Sequence, residues 1–428
     1  MCGFLVMACV FTCSRPSRAI TGNSDEGFGL DGSLRIIGAL FRNRDGSSGP
    51  GAEKYDEYMQ AVLRLAAAGR PREDLFYEIH LVQSLTYFSG GKGQGGNIDL
   101  TGGNTRYRAL DEASKWWTRK DAETLLWLDR FNLKMAFPVM DVTIGRQAVT
   151  FGKAHFWNPL DVYLPFAPAQ FDRDYKAGVD ALRLDFPLGD FSGITLVGVL
   201  GREIDSSGHY AHEERRFHAD WYGSSLLARF FTNLGGWDLA FQGGKIYGGY
   251  QVGGAFTGEI KGVEVRGEAA YFRGSESPAL NYPLKGDLFE DRLTAVIGLG
   301  KRFPNSLVLD AEYLFNGGGE SNLSRSAVAR FRQGAIPHLG RHLAGFMASY
   351  EFTPLLVGQF SLIYSFSDHS CQFQPNLTLS LSDDSDLIMG ASVNVGKVPE
   401  VSDLGVSEPR SEFGSYPHMV FMELKVYF

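Results

Sequence analysis

Alternating hydrophobicity, repeated in short segments along most of the chain, predicts an all-β protein, a single antiparallel up-and-down β-barrel that spans a membrane. Two further observations favour this fold class. The 428 residues include 52 glycines and 13% aromatic residues, which is typical of β structure rather than of a helical bundle. Short turns and long connections also alternate along the chain, as they do in transmembrane barrels.

The amino terminus is predicted to be a secretory signal covering residues 1–19. An uncharged, mostly apolar run at 2–13 is followed by Ser17-Arg18-Ala19, where small residues suit a signal peptidase. No Lys or Arg precedes the run, which departs from the usual pattern. A lipoprotein signal ending at Cys9 and a buried amino-terminal strand are the alternatives. The barrel domain is predicted to cover residues 20–428.

Charge, cysteines and hydropathy exclude several classes of protein. A net charge of −8 at pH 7 argues against binding of nucleic acid, which would require a basic face. No Cys-x-x-Cys-His motif occurs, so the chain cannot hold a c-type haem by itself. No run of 18 or more apolar residues follows the signal, so no transmembrane helix is predicted.

Eighteen segments show the alternation that is expected of membrane-spanning strands. Turns rich in Pro, Gly, Asn and Asp join sixteen of them into eight hairpins. The first and last segments are predicted to pair and close the cylinder, which gives the even number that single-chain barrels require. A sixteen-strand barrel is the alternative. The predicted strands are residues 28–41, 56–67, 74–88, 122–137, 141–151, 178–186, 191–201, 224–233, 237–247, 250–260, 263–273, 291–303, 306–315, 342–352, 355–366, 372–382, 386–396 and 417–428.

The charged face of each strand is expected to face the lumen, because a charge on the lipid face costs roughly 2–4 kcal/mol at mid-depth. Equal numbers of bases and acids predict a lumen without strong ion preference. Asp129 breaks the alternation, since it falls on the face of Trp127 and Phe131, and this indicates a local bulge or a wrong register. The predicted inward bases are Arg35, Arg64, Arg130, Lys134, Arg183, Arg229, Arg266 and Lys425. The predicted inward acids are Glu78, Asp185, Asp238, Glu264, Glu268, Asp310, Glu312 and Glu423.

The connection at residues 152–177 is predicted to fold into the barrel and narrow it, because it is too apolar for a free surface loop. Its charges would then lie near the constriction and filter small polar solutes. Alternatively, the connection plugs the mouth and its charges only tie it to the wall. Its apolar residues are Phe156, Trp157, Leu160, Tyr163, Leu164, Phe166 and Phe171. The candidate constriction residues are Arg146, Asp172, Arg173, Asp174 and Lys176, together with Arg183, Asp185, Arg266 and Glu268 on the wall.

Three stretches resemble a porin-like family of bacterial outer-membrane barrels. They are VTIGRQAVTFG at 142–152, the FWNPLD that follows it, and DYKAGVDALRLDFPLGD at 174–190. Relatives in this family include alginate-export-type channels and the barrel sheaths of porin–cytochrome conduits in metal-reducing bacteria. The resemblance implies that Arg146 and the charged cluster 172–176 lie in the pore region. It specifies no substrate.

These observations lead to two functional hypotheses. The first is an outer-membrane channel for small hydrophilic solutes or ions, in contact with membrane lipid and needing no cofactor. The second is a sheath that houses a multihaem cytochrome partner, which would carry all the redox chemistry. The sequence leaves the oligomeric state open.

Enzymatic and metal-binding functions have weaker support in the sequence. Ser84 near His80 is the only inward pair at short spacing that suggests a nucleophile and base, and no acid orients it. His209, His212 and His218 could share a metal in a long connection. A solvated charged loop is the preferred interpretation of these histidines, so neither an enzyme nor a metal site is predicted.

Overall fold

Eighteen strands among the described residues of the computed structural model form one closed barrel. The structure describes residues 21–23, 27–44, 54–89, 107–110, 113–163, 165–166, 170, 173–202, 219–275, 290–321, 328, 331, 336–401 and 407–428. The barrel strands are β1 (Phe28–Arg42), β2 (Tyr55–Arg72), β3 (Leu75–Phe88), β4 (Ala122–Phe137), β5 (Met140–Gln147), β6 (Val179–Gly189), β7 (Ser192–Arg202), β8 (Ala219–Leu234), β9 (Trp237–Ile246), β10 (Gly249–Ile260), β11 (Val263–Gly274), β12 (Arg292–Arg302), β13 (Val308–Asn316), β14 (His342–Thr353), β15 (Leu356–Ser365), β16 (Ser370–Ser382), β17 (Ser385–Val395) and β18 (His418–Tyr427).

Each strand pairs antiparallel with its neighbours in sequence, and β1 pairs with β18 to close the ring. Arg35 lies opposite Lys425 in that closing pair. This pairing covers the edges that the first and last strands would otherwise expose, as a sheet in hydrocarbon requires. The predicted fold class and the pairing of the first and last strands are therefore confirmed. Within the described residues, no helix has both the length and the apolar character that a membrane crossing needs.

The two ends of the barrel differ in their connections. At the short-turn end, most connections are two residues long, as at Gly235-Gly236 between β8 and β9. At the long-loop end, most connections are much longer, with short exceptions at Tyr247-Gly248 and 366–369. The chain enters β1 and leaves β18 at the short-turn end. The predicted signal at 1–19 lies outside the described residues and stays a prediction.

The two faces of the wall carry the predicted alternation. On β18, Glu423 and Lys425 are buried inside the barrel, whereas Val420 and Met422 are about half exposed on the outer face. On β11, Arg266 is buried inside, and Tyr271 is exposed outside. This distribution follows from the cost of placing charge against lipid.

The fifth strand is shorter than predicted, ending at Gln147 rather than at residue 151. Val149 and Phe151 leave the wall and pack inside the barrel against Tyr163. As a result, β5 pairs with only the 131–137 half of β4. Beyond that half, a short extra strand, Ser114–Thr118, pairs with β4 instead.

A β-bulge explains the position of Asp129. The register between β3 and β4 shifts between His80 and Leu81, so that one residue of β4 is unpaired there. The extra residue reverses the phase of the alternation, and Trp127 and Asp129 are buried while Phe131 is exposed on the outer face. The bulge interpretation is thus right, and the assignment of Trp127 and Phe131 to one face is corrected.

Candidate pore lining and constriction

The segment after β5 lies inside the barrel along much of its inner wall. Phe156 and Trp157 pack against Leu314, Leu343 and Ile363 of β13, β14 and β15. Gly345 makes room for this contact, because a Cβ there would lie 2.7 Å from Phe156 Cδ2. Leu160 and Tyr163 are also buried, as predicted, and Phe166 is partly buried. Leu164 and Phe171 lie outside the described residues.

Wall carboxylates hold the backbone of this segment. Glu268 accepts hydrogen bonds from the N–H groups of Lys153, Ala154 (2.9 Å) and Leu160 (3.3 Å). Glu312 accepts from three consecutive N–H groups, including Phe156 at 2.8 Å. A segment away from the sheet has no ladder partners, so these carboxylates satisfy donors that would otherwise be buried alone. Glu268, a predicted pore residue, is therefore used to anchor the segment.

An acidic cluster surrounds Arg266 on the β11–β13 wall. The guanidinium forms ion pairs with Glu264 at 3.0 Å, with Glu312 at 2.8 Å, and with Asp310. One positive charge thus faces three carboxylates. The residual charge of this acidic cluster is negative.

A basic cluster with the opposite composition surrounds Asp129 on the β2–β4 wall. The Asp129 carboxylate accepts hydrogen bonds from Arg64 at 2.8 Å, Arg108 at 2.7 Å and Arg130 at 3.1 Å. All four side chains are buried. Each hydrogen bond is charge-assisted, which makes such a cluster stable while it is complete. The residual charge of this basic cluster is positive.

Arg108 belongs to a second inward segment, residues 107–110, which was not among the predicted features. Tyr107 packs against Tyr163 with ring centroids 5.3 Å apart, and Arg108 also donates to the carbonyl of Gly178 at 2.8 Å. The signal was present in the sequence. Tyr107, Ala109 and Leu110 form a short apolar group in a connection that is mostly polar and rich in glycine, and apolar residues in a connection were also the basis for predicting the inward fold of residues 152–177.

Asp174 and Tyr175 lie against the β18–β1–β2 wall. The Asp174 carboxylate accepts from Arg35 Nη2 at 2.7 Å, from Lys425 Nζ at 2.9 Å and from the Tyr427 hydroxyl at 2.9 Å. Burial alone would raise the pKa of Asp174, but the hydrogen bond and charge of Lys425 lower it below its usual value. The Asp174 side chain is still 41% exposed, so it borders solvent in the lumen.

The Tyr175 ring covers two of the wall arginines. The guanidinium carbon of Arg35 lies 4.7 Å from the ring centroid, and that of Arg64 lies 4.2 Å from it. These distances are in the range of cation–π attraction. Residues 174–175 thus bind the basic wall through both charge and stacking.

Lys176 and Arg173 make different contacts. Lys176 Nζ forms a buried ion pair with Asp161, at 2.5 and 2.6 Å from the two oxygens. Burial lowers the pKa of Lys176 and raises that of Asp161. Arg173 donates to the carbonyl of His155 at 2.9 Å, and burial together with Arg173 lowers the pKa of His155. The ion pair and the hydrogen bond to the carbonyl therefore both join residues 173–176 to residues 155–161 of the same segment.

The remaining predicted constriction residues occupy separate places. Arg146 is buried and donates to Asp180 at 2.6 and 3.1 Å and to the carbonyls of Leu128 and Leu110. Arg183 and Asp185 form an ion pair at 2.7 Å near the short-turn end, where both are partly exposed. Asp172 lies outside the described residues. Arg173 contacts the inward segment at His155, and Arg266 and Glu268 lie on the part of the wall that this segment covers. Arg146 is not next to these three residues.

Seven of the eight predicted inward bases form ion pairs with carboxylates in the described part of the chain. Their partners are Asp174 for Arg35 and Lys425, Asp129 for Arg64 and Arg130, Asp141 for Lys134, Asp185 for Arg183, and Glu264, Asp310 and Glu312 for Arg266. The eighth, Arg229, donates to Gln242 at 3.1 Å. Most of the predicted inward bases are therefore neutralised by carboxylates inside the barrel.

The residues considered for catalysis and metal binding are not assembled into a site. Ser84 and His80 are four residues apart on β3, a separation of about 13 Å along an extended strand. His80 instead contacts Glu78 at 3.0 Å and Arg64 at 3.1 Å. The described ranges contain no group of three or more potential metal ligands. His209, His212 and His218 lie outside them.

Comparison with solved structures identifies the class of fold. OccAB4 of Acinetobacter baumannii superposes with a TM-score of 0.55 at 10% identity, covering 93% of this chain and 98% of that one. OccAB3 of the same organism gives 0.54 at 9% identity, covering 94% and 99%. OccK5 of Pseudomonas aeruginosa gives 0.53 at 9% identity, covering 95% and 99%. No protein-family model matches the sequence, and no curated protein matches it.

The chain therefore has the fold of bacterial outer-membrane porins of the Occ type, over nearly its whole length. At these identities the likeness concerns the fold. The predicted resemblance to a porin-like barrel is confirmed at that level. The nearer relation to alginate-export-type channels stays a hypothesis.

Proposed function

We propose that the protein is a channel of the bacterial outer membrane through which small hydrophilic solutes or ions pass. The observation that carries this proposal is the contrast between the two faces of one closed wall. The outer face is apolar, and the inner face holds paired charges that a lipid-filled or empty lumen could not stabilise. An eighteen-strand barrel is also wide enough to admit water unless its own chain fills it.

The inward segments would form the narrow part of the passage. Residues 149–163 cover the β8–β15 wall, and Asp174 with Tyr175 cover the opposite side. The Asp174 carboxylate is partly exposed between these walls, so a passing solute would contact it, while Arg35 and Lys425 are buried behind it and hold it in place. Of the predicted constriction residues, Arg173 and Asp174 are in our proposal nearest to the passage, whereas the buried side chains of Arg146, Lys176, Arg266 and Glu268 hold the segments and the wall in place.

Separated clusters of opposite charge would orient a solute rather than exclude one sign of ion. The basic cluster around Asp129 and the acidic cluster around Arg266 lie on walls far apart in the ring. Because most charges are paired, we expect weak overall selectivity between cations and anions. Strongly selective pores carry an excess of one sign.

The cytochrome-sheath hypothesis gains no support from the packing. Phe156, Trp157, Leu160 and Tyr163 of this chain occupy inner-wall positions that a partner in the lumen would need. Co-purification of haem with the barrel from its native host would favour the sheath over the channel. A haem-free preparation that conducts ions would exclude the need for such a partner.

Single-channel recording in planar bilayers tests the proposal directly. The full chain, expressed without its native neighbours, should give stable conductance steps with little preference between K⁺ and Cl⁻. Heat-modifiable electrophoretic mobility should first establish that the barrel is folded. A folded barrel that never conducts would overturn the proposal, and leak of uncharged sugars from liposomes provides a second readout.

A further inference from the structure

Four basic or imidazole side chains form a rim patch at the long-loop end of the wall where β18, β1 and β2 meet. Arg42 pairs in register with His418 on one side and with Tyr55 on the other. Lys54 lies next to Tyr55, with its Nζ 5.8 Å from the ring centroid. Arg44 completes the patch, because its Nη1 lies 2.7 Å from His418 Nε2.

The rim patch points away from the lumen. Leu40 is 54% exposed on the outer face and Phe41 is buried inside, so the alternation along β1 places Arg42 outside. Arg42 and Lys54 are both exposed, and neither forms an ion pair with any residue of the described chain. This contrasts with the inner wall, where seven of the eight predicted bases form ion pairs with carboxylates of the described residues. Among the described residues, Glu57 is the outward acid closest to the patch along β2, and it lies one row further from the rim.

Below the rim patch, the outer face is apolar. Leu40, Met59, Val420 and Met422 are each about half exposed there. From the rim toward the middle of the membrane, this face therefore carries cations, then an aromatic ring, then aliphatic side chains. A lipid presents its groups in the matching order, with the phosphate outermost, the interfacial region next and the acyl chains below. Arg42 and Lys54 have no carboxylate partner among the described residues, so an anion that approaches from the membrane side can contact both of them.

We propose that the rim patch binds the phosphate group of an outer-leaflet glycolipid, whose acyl chains lie along Leu40, Met59 and Val420. Arg42 and Lys54 would supply direct charge-assisted contacts. Arg44 donates to the carbonyls of Asn394 and Gly396, both at 3.2 Å, which fixes its guanidinium beside the site. The inference rests on the membrane position in the proposed function, but not on passage of solute.

Native mass spectrometry of the detergent-solubilised full chain tests this assignment. The probes are bisphosphorylated lipid A, its monophosphorylated form and dioleoylphosphatidylglycerol. We expect lipid A to bind most tightly and the double variant R42Q/K54Q to bind it at least tenfold more weakly. The matched control is K301Q/R302Q, which removes two charges at the short-turn end, where Lys301 also lies beside an aromatic ring, Phe303; its affinity should change by less than twofold.

Several outcomes would overturn the proposal. One is that phosphatidylglycerol binds as tightly as lipid A. Another is that both double variants lose the same affinity for lipid A. The third is that inorganic phosphate alone displaces lipid A. Heat-modifiable mobility must be retained in every variant. Conductance of R42Q/K54Q should equal that of the unaltered chain, so a failure of lipid binding and a failure of channel function give different results.

Discussion

Asp129 and Arg266 have mirrored surroundings on walls seven strands apart in the ring. The Asp129 carboxylate accepts hydrogen bonds from three arginines, and the Arg266 guanidinium forms ion pairs with three carboxylates. In each cluster the central charge is outnumbered by its partners. The inner wall as a whole has balanced positive and negative charges, but one wall carries a cluster with net positive charge and a distant wall carries a cluster with net negative charge.

Substitution of Asp129 should destabilise the barrel strongly. D129N leaves three buried guanidiniums facing a neutral amide, and breaking a buried ion pair costs about 3–5 kcal/mol. Thermal unfolding, followed by the loss of heat-modifiable mobility, should occur at a clearly lower temperature. The control D238N breaks a 3.5 Å pair with both side chains well exposed and should cost less than about 1 kcal/mol. Similar losses in the two variants would contradict the role assigned to the basic cluster.

Substitution of Arg266 should shift ion preference toward cations. R266Q leaves the carboxylates of Glu264, Asp310 and Glu312 without their shared counter-ion. The reversal potential across a KCl gradient should move toward the K⁺ value. R183Q removes the same charge from a single, partly exposed pair and should shift it less, because solvent screens that site. If both variants shift the potential equally, only the total wall charge matters.

Substitution of Asp174 should release the segment from the β18–β1 wall and favour anions. D174N removes the acceptor shared by Arg35 and Lys425, so we expect a larger conductance and a reversal potential shifted toward Cl⁻. The matched control is D238N, which neutralises a carboxylate away from that wall. Unchanged conductance and selectivity in D174N would show that the passage lies elsewhere.

The same carboxylate should make the channel sensitive to acid. Because the pKa of Asp174 is lowered in the folded protein, its ion pairs contribute stability above the unfolded pKa of about 3.9. That contribution is lost as the pH falls through the lower folded value. Conductance of the unaltered chain should therefore change only in acid well below neutrality. D174N should lack this transition, and a transition of equal size in the variant would rule out Asp174 as its source.

Removal of the Trp157 ring should loosen the inward segment. Trp157 is buried against wall residues, and truncation of a buried Trp to Ala costs about 3–5 kcal/mol. W157A should lower the unfolding temperature and make single-channel current noisier. Trp116 is 63% exposed, so W116A should change neither. Quiet current in W157A would mean that the segment does not border the passage.

The sequence predicts the strands of this fold well, because alternation and turn residues are local signals. Strand β4 begins and ends as predicted, at 122 and 137. The bulge at Asp129 could only be suspected, since a fixed period of two cannot show where an extra residue enters. The roles of individual charges could not be predicted either. Whether Glu268 faces solvent or anchors a backbone depends on where a distant segment packs.

The short fifth strand has a consequence for how the barrel is assembled. The half of β4 beyond β5 finds partners in Ser114–Thr118 and in the guanidinium of Arg146, which reaches the carbonyl of Leu128 and that of Leu110. Strand pairing alone therefore leaves a seam on this side. We infer that the wall is complete on this side only when the β3–β4 connection is in place, so a connection, rather than one of the eighteen barrel strands, finishes it.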